Sequence, residues 1–199
     1  MNFSALLNMQ SINLTLFYAI RNAAGIYPWL DTFFIVLTKY GISIISVYVA
    51  YFLFYSAPKR VPTIGKKFHV YLRGLEVTLS AGMAWFVVYC IKVIVQIPRP
   101  FTTLSDVRAL ITQTGYSFPS GHATVAFAIA TAVYIYYRPL GKTLFIFAFL
   151  IALSRIYVAV HYPVDVVVGA VLGCGIAVGV HYVGRRKIVT IDAPTKPQI

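Results

Sequence analysis

The sequence predicts an all-α polytopic membrane bundle: about five transmembrane helices, preceded by an amphipathic helix lying in the interface. Three observations carry that expectation. Of 199 residues, 59% are hydrophobic and only 11% charged, against about 25% charged in soluble domains. The apolar residues fall in blocks long enough to span a bilayer, which takes roughly 20 of them. The net charge of +12 sits mostly between those blocks, where it sets topology and meets lipid headgroups. The same excess in a soluble chain would suggest nucleic acid; no nucleic-acid partner is expected here.

The elements follow in order. Asn8, Gln10, Asn13 and Arg21 interrupt residues 3–24 too often for a comfortable span, yet Leu6, Met9, Ile12, Leu16 and Ala19 recur at helical spacing. That pattern is the interfacial helix. Tyr27, Pro28 and Trp29 turn the chain into a first span at about 32–55. The second covers about 72–95 and the third about 120–137. The fourth, about 142–159, follows a short turn, RPLGK, and the fifth, about 164–184, is rich in glycine. Residues 96–119 form the longest loop. One membrane domain is expected over 1–187, with 188–199 a short disordered cytoplasmic tail. The opening MNFSALLNMQ has no basic n-region, so no cleavable signal peptide is expected.

The loop 56–73, the turn 138–142 and the tail hold 11 of the 17 basic residues. These should be cytoplasmic, which puts the 96–119 loop, the 159–164 turn and the amino-terminal helix on the outer face. Several polar residues need no functional reading. Cys90 and Cys174 read as small buried hydrophobes without disulfide or metal. His69 and His181 read as packing or interfacial groups, Arg138 and Arg185 as snorkelling anchors, and Arg73 with Glu76 as a local pair. Lys39 stays open between snorkelling and a role near the site. The Gly169/Gly173 and Gly175/Gly179 spacings suit close helix packing; no dimer is inferred from them, and the oligomeric state is left open.

A second group resists that treatment, because a charge near mid-membrane costs roughly 2.5–3.5 kcal/mol on insertion scales. Lys92, Arg99, His122, Arg155, His161 and Asp165 come from distant segments yet share the outer membrane depth. Three cations with few anions make a cage for a phosphate. Ser120 stands at an N-cap position, and Gly121 and His122 open a helix whose free N–H groups and dipole favour an anion. His161 and Asp165 are four residues apart, so the carboxylate can orient the imidazole. His161 is then a possible nucleophile and His122 a general acid and base.

The stretches "KVIVQIPRP" (Lys92, Arg99, Pro100), "PSGH" (Pro119–His122) and "SRIYVAVHYPVD" (Arg155, His161, Asp165) resemble the three signature motifs of the type 2 phosphatidic acid phosphatase family, membrane lipid phosphatases related to vanadium haloperoxidases. The motif core spans 92–165 and is complete and in order. The chain is also similar to the small bacterial members, which include undecaprenyl pyrophosphate phosphatases. The resemblance implies that His161 attacks phosphorus to form a phosphohistidine, that Asp165 orients it, and that His122 protonates the leaving group and then activates water. Lys92, Arg99, Ser120, Gly121 and Arg155 would hold the phosphoryl oxygens. It implies no metal and no cofactor.

The expected protein is thus a multi-pass enzyme of the bacterial cytoplasmic membrane acting on a membrane lipid phosphate at the periplasmic or extracellular side. Undecaprenyl pyrophosphate is the first choice of substrate. A phosphatidylglycerophosphate or lipid A phosphatase, or a lipid A phosphotransferase, is the alternative within the class. An anion-binding transporter is the alternative outside it.

Overall fold

The computed structural model describes residues 3–56 and 64–191, and its elements are all helical. Helix α1 spans Phe3–Arg21. Helix α2, Pro28–Tyr51, runs on into a π-helical turn at Phe52–Ser56. Helix α3 spans Ile64–Val95, a short α4 spans Pro100–Thr103, α5 spans Gly121–Tyr136, α6 spans Arg138–Tyr157 and α7 spans Pro163–Ile191. Helices α2, α3, α6 and α7 are long and apolar enough to cross a membrane, and α5 is a shorter apolar helix.

At 16 residues, α5 rises only about 24 Å. It compensates by being central: α6, α7 and α3 all pack on it. Its inner positions Ala126, Ile129, Ala130, Ala132 and Val133 meet Ile45 and Val49 of α2, Val77 of α3, Ala148 and Ile151 of α6, and Ala177 of α7. Lipid offers apolar surface everywhere, so helices associate here by close packing, and small residues permit it. Gly169 and Gly173 of α7 show this at backbone scale. A methyl at Gly169 would lie 2.8 Å from the Ser120 carbonyl, and one at Gly173 would meet the Thr124 carbonyl. Gly175 and Gly179 face open space, so the packing expected of all four glycines holds for the first pair only.

RPLGK is no turn: Arg138 opens α6, Pro139 lies in its first turn, and Tyr137 alone separates α5 from α6. Proline is tolerated there because the first N–H groups of a helix have no intrahelical acceptor. Helix α7 runs to Ile191, past the expected span end; 192–199 lie outside the described residues, as do Lys59 and Arg60. Glu76 does not pair with Arg73. Its carboxylate takes His181 Nδ1 at 2.8 Å and the Tyr136 hydroxyl, while the Arg73 guanidinium lies 5.0 Å above the Tyr136 ring.

Helix α1 lies against the end of the bundle that carries the motifs. Phe17 is fully buried, Asn13 Oδ1 accepts the Val164 N–H at 3.0 Å, Tyr18 donates to the Asp106 carboxylate, and Arg21 donates to the Arg108 carbonyl. Ile12 and Leu16 of the apolar stripe are exposed, turned away from the protein and available to lipid. Helices α2 and α6 are tied at the same end. The Tyr157 hydroxyl donates to Asp31 at 2.7 Å, and the Thr38 and Ser154 hydroxyls lie 2.7 Å apart.

Candidate active site

Three regions of the chain deliver the motif residues. The end of α3 and the start of α4 carry Lys92 and Arg99. The amino end of α5 carries Ser120, Gly121 and His122. The turn between α6 and α7 carries His161, flanked by Arg155 and Asp165. That turn is tight. Ala159 takes a left-handed φ of 63°, and the Arg155 carbonyl accepts both the Val160 and His161 N–H groups at 3.2 Å. Lys92, Arg99, Gly121, His122, Arg155 and His161 then line one cavity of about 370 Å³. Ser120 and Asp165 are buried at 0% and 1% exposure and lie outside that lining. Lys39 is exposed and does not line it.

His161 is 2% exposed. Its Nδ1 lies 3.4 Å from Asp165 Oδ2 and 3.3 Å from Ser117 Oγ. Its Nε2 lies 3.4 Å from Arg99 Nη1. A guanidinium can only donate, so Nε2 must be the lone-pair nitrogen and Nδ1 must carry the proton. The Asp165 carboxylate that receives it is itself held by the Ser117 hydroxyl and by the Tyr162 N–H at 2.9 Å. Burial first, then the positive charges of Arg155, Arg99 and Lys92, hold His161 well below its ordinary pKa of 6.5. The imidazole is therefore neutral at neutral pH, with its Nε2 lone pair facing the Arg99 guanidinium.

A five-residue segment, Gln113–Ser117, organises the rest. Gln113 Oε1 accepts from Arg155 Nη2 at 3.1 Å. The Thr114 carbonyl accepts from Arg99 Nη2 at 3.0 Å, and the Gly115 carbonyl from Arg99 Nε at 2.9 Å. The Tyr116 and Ser117 carbonyls both accept from Lys92 Nζ. Gly115 has a φ of +73°, which a side chain would disfavour. Each of the three cations is thus fixed by one short strand of acceptors. Val160 and Thr38 add further carbonyls, to Arg99 and Arg155.

These bonds leave donors over. Lys92 keeps one of its three N–H groups, and Arg99 keeps one on Nη2. Arg155 keeps its second Nη2–H and its Nε–H; Nε is buried and has no protein partner. Ser120 Oγ is likewise buried without a partner: Ser120 occupies the N-cap of α5 but makes no side-chain cap bond. The Thr124 N–H is the first in α5 to bond back, to the Ser120 carbonyl. The N–H groups of Gly121, His122 and Ala123 therefore remain at the positive end of the helix dipole. Convergent cations, free amides and unpaired buried donors are what a tetrahedral oxyanion such as a phosphoryl group requires. Among the described residues, the cavity lining contains no carboxylate.

Gln113 also lines the cavity, and the remaining lining is apolar and comes from three helices: Ile42 of α2, Ala81, Trp85, Val88 and Tyr89 of α3, and Val125 of α5. Ala81 and Trp85 lie two to three helical turns from Lys92, so the cavity extends from the charged end along the helices. The motif reading found the ionic residues but missed Ser117 and Gln113. Ser117 carried one signal, a hydroxyl two residues before PSGH. Gln113 and the three carbonyls between carried none.

The sequence matches the PAP2 superfamily over residues 73–188. It is 35% identical over 157 residues to undecaprenyl-diphosphatase BcrC of Bacillus subtilis (strain 168), covering 78% of this chain and 75% of that protein. A shorter match, 40% identical over 76 residues, is to the bacitracin transport permease protein BcrC of Bacillus licheniformis, and it spans 38% of this chain and 37% of that one. The crystal structure of Aquifex aeolicus LpxE superposes with a TM-score of 0.68 at 30% identity, over 86% of this chain and 95% of that one.

Proposed function

The chain belongs to the PAP2 superfamily, a family of membrane lipid phosphatases, and from that membership we propose that it hydrolyses a lipid pyrophosphate, undecaprenyl pyrophosphate first among candidates, through a phosphohistidine at His161. The observation that carries this reading is the pairing of an oriented, neutral His161 with three fixed cations in a cavity whose far wall is apolar. His161 Nε2 forms a bond to the terminal phosphorus as the bridging P–O bond breaks. The lipid monophosphate leaves, with His122 donating a proton where one is needed. Water then attacks the phosphohistidine, gives its proton to His122, and releases inorganic phosphate. Asp165 and Ser117 hold the Nδ1–H side throughout.

Lys92, Arg99 and Arg155, with the Ser120 hydroxyl and the first amides of α5, stabilise charge spread over the transferring phosphoryl group, where positioning and electrostatics do most of the catalysis. The apolar wall takes the lipid chain nearest the phosphate. The named relative at 35% identity supports the choice of a prenyl pyrophosphate. The bundle end bearing the site is the outer one, in a single domain over 1–187 of the cytoplasmic membrane, because 11 of the 17 basic residues fall in the sequence stretches 56–73, 138–142 and 185–199 rather than around the motifs. The cation cage supplies the charge a metal would otherwise bring, so no metal is needed.

Phosphate release by the purified protein tests this reading. A lipid pyrophosphate should be a better substrate than phosphatidic acid or lipid A monoesters, and release should persist in EDTA and be blocked by vanadate. Folded protein that releases no phosphate from any of them would overturn the enzyme reading in favour of an anion transporter. Loss of turnover in EDTA with recovery on Mg²⁺ would overturn the metal-free mechanism.

A further inference from the structure

We propose that Gln113 is a specificity-determining residue: its side-chain amide donates to the lipid-linked phosphate of a pyrophosphate substrate, a contact that a phosphate monoester cannot make. The proposal rests on the reading that a lipid pyrophosphate is cleaved in this cavity. Gln113 lies outside the three motifs and lines the cavity with His122 and Arg155. Its orientation is fixed by chemistry. Arg155 Nη2 lies 3.1 Å from the amide oxygen. Since a guanidinium only donates, the oxygen must face it and the NH₂ must face away. Among the described residues, no protein acceptor takes that NH₂; the Arg155 contact is the side chain's one hydrogen bond.

The transferring phosphoryl group has little use for this donor. Lys92, Arg99 and Arg155 each retain N–H groups, and three α5 amides stand with them. A lipid pyrophosphate brings a second phosphate with two further oxygens. In-line displacement puts it on the side of the transferred phosphorus opposite His161, the side served by the proton donor. Gln113 and His122, the proton donor, line the same cavity and are linked through Arg155. Arg155 bridges Gln113 to Thr38, and the Thr38 backbone faces the His122 imidazole. A monoester instead presents an alkoxide and its carbon chain there, leaving the NH₂ unpaired. Sites built to hydrogen-bond a substrate group discriminate most strongly against analogues that lack it.

The test uses the full chain purified in detergent, with farnesyl pyrophosphate and farnesyl monophosphate as probes. The readout is the ratio of their kcat/KM values on one preparation, which is independent of the folded fraction. Gln113→Leu removes both ends of the amide. Gln113→Glu keeps an oxygen for Arg155 and removes the donor. The ratio should fall about tenfold or more in both variants, the scale of a hydrogen bond to a charged group. If Gln113→Leu does not fold, Gln113→Glu decides. A ratio within twofold of wild type in Gln113→Glu, even with both activities reduced, would mean that Gln113 only holds Arg155, and the proposal fails. Wild-type protein that releases no phosphate from farnesyl pyrophosphate defeats the substrate reading and this assignment with it. Wild-type cleavage with an unchanged ratio defeats this assignment alone.

Discussion

His161 is buried beside Arg99, and that surrounding decides its protonation. Burial and the three cations lower its pKa from the ordinary 6.5. The unfolded chain therefore binds a proton near pH 6.5 that the folded chain refuses. Linkage then removes stability as pH falls below about 6.5 and leaves it untouched above. The same sign governs activity if His161 is the nucleophile. The acid limb of kcat/KM, which reports the free enzyme, should lie below pH 6.5 once corrected for the substrate's own ionisation. An acid limb centred above 6.5 would contradict a depressed His161. Ser117 belongs to the same balance. Its hydroxyl bonds Asp165 and lies beside His161 Nδ1, and a hydrogen bond to a charged group is worth about 1.5–3 kcal/mol. Ser117→Ala should thus cost roughly tenfold or more in kcat by phosphate-release kinetics; an unchanged kcat would remove Ser117 from the orienting network. The ionic residues around His161 could be read from the sequence because lipid rejects charge, so each charge demands a reason. The carbonyls of Thr114–Ser117 could not, because every residue carries one, and only the path of the chain decides which carbonyl meets which cation.

Helices α5 and α7 meet where two glycines remove the side chain. Gly169→Ala would put a methyl 2.8 Å from the Ser120 carbonyl and 3.0 Å from Thr124 Oγ1, so either α7 withdraws or the PSGH turn moves. Overpacking of this kind costs about 1–3 kcal/mol, and here it falls on the turn proposed to bind phosphate. Gly169→Ala and Gly173→Ala should lower both melting temperature and activity. Gly175→Ala and Gly179→Ala, in open space, should leave activity intact and gain up to about 1 kcal/mol from helix propensity. Equal effects from the two pairs, measured by thermal unfolding in detergent, would contradict the packing described. The number and order of the long helices were legible from apolar block length, but not all their ends: α3 begins at Ile64 and α7 runs to Ile191, beyond the apolar blocks. RPLGK reads as a turn because Pro139 and Gly141 look like breakers, whereas Pro139 sits in a helix's first turn and Gly141 lets α6 press on the Tyr134 backbone. The four similar glycines looked alike for a related reason: spacing gives the helix face, but only the neighbour's position says whether that face is covered.

Across the whole molecule, the polar cluster of Glu76, Tyr136 and His181 and the proposed phosphate cage lie on different parts of α3, α5 and α7. Arg73, from the basic stretch 56–73, lies over the Tyr136 ring of the former. The proposed orientation makes the cage end extracytoplasmic. With Cys90 and Cys174 replaced by alanine, a cysteine at the exposed Ser105 should react with an impermeant thiol reagent in intact cells, and one at the exposed Lys142 should not; the reverse labelling would invert the topology. The division of labour between the two site histidines bears most directly on the central claim. His122→Ala should still transfer the terminal phosphate of a lipid pyrophosphate, since a lipid monophosphate leaves readily without a proton, but should stall at water attack. General acid–base help is worth about 10²–10⁴-fold, so the stalled intermediate should accumulate. With undecaprenyl pyrophosphate labelled in its terminal phosphate, His122→Ala should retain acid-labile label mapping to His161 and release one equivalent of lipid monophosphate in a first burst, while His161→Ala should retain none. Label on His161→Ala, or a His122→Ala protein that binds the lipid yet gives neither burst nor label, would contradict the account.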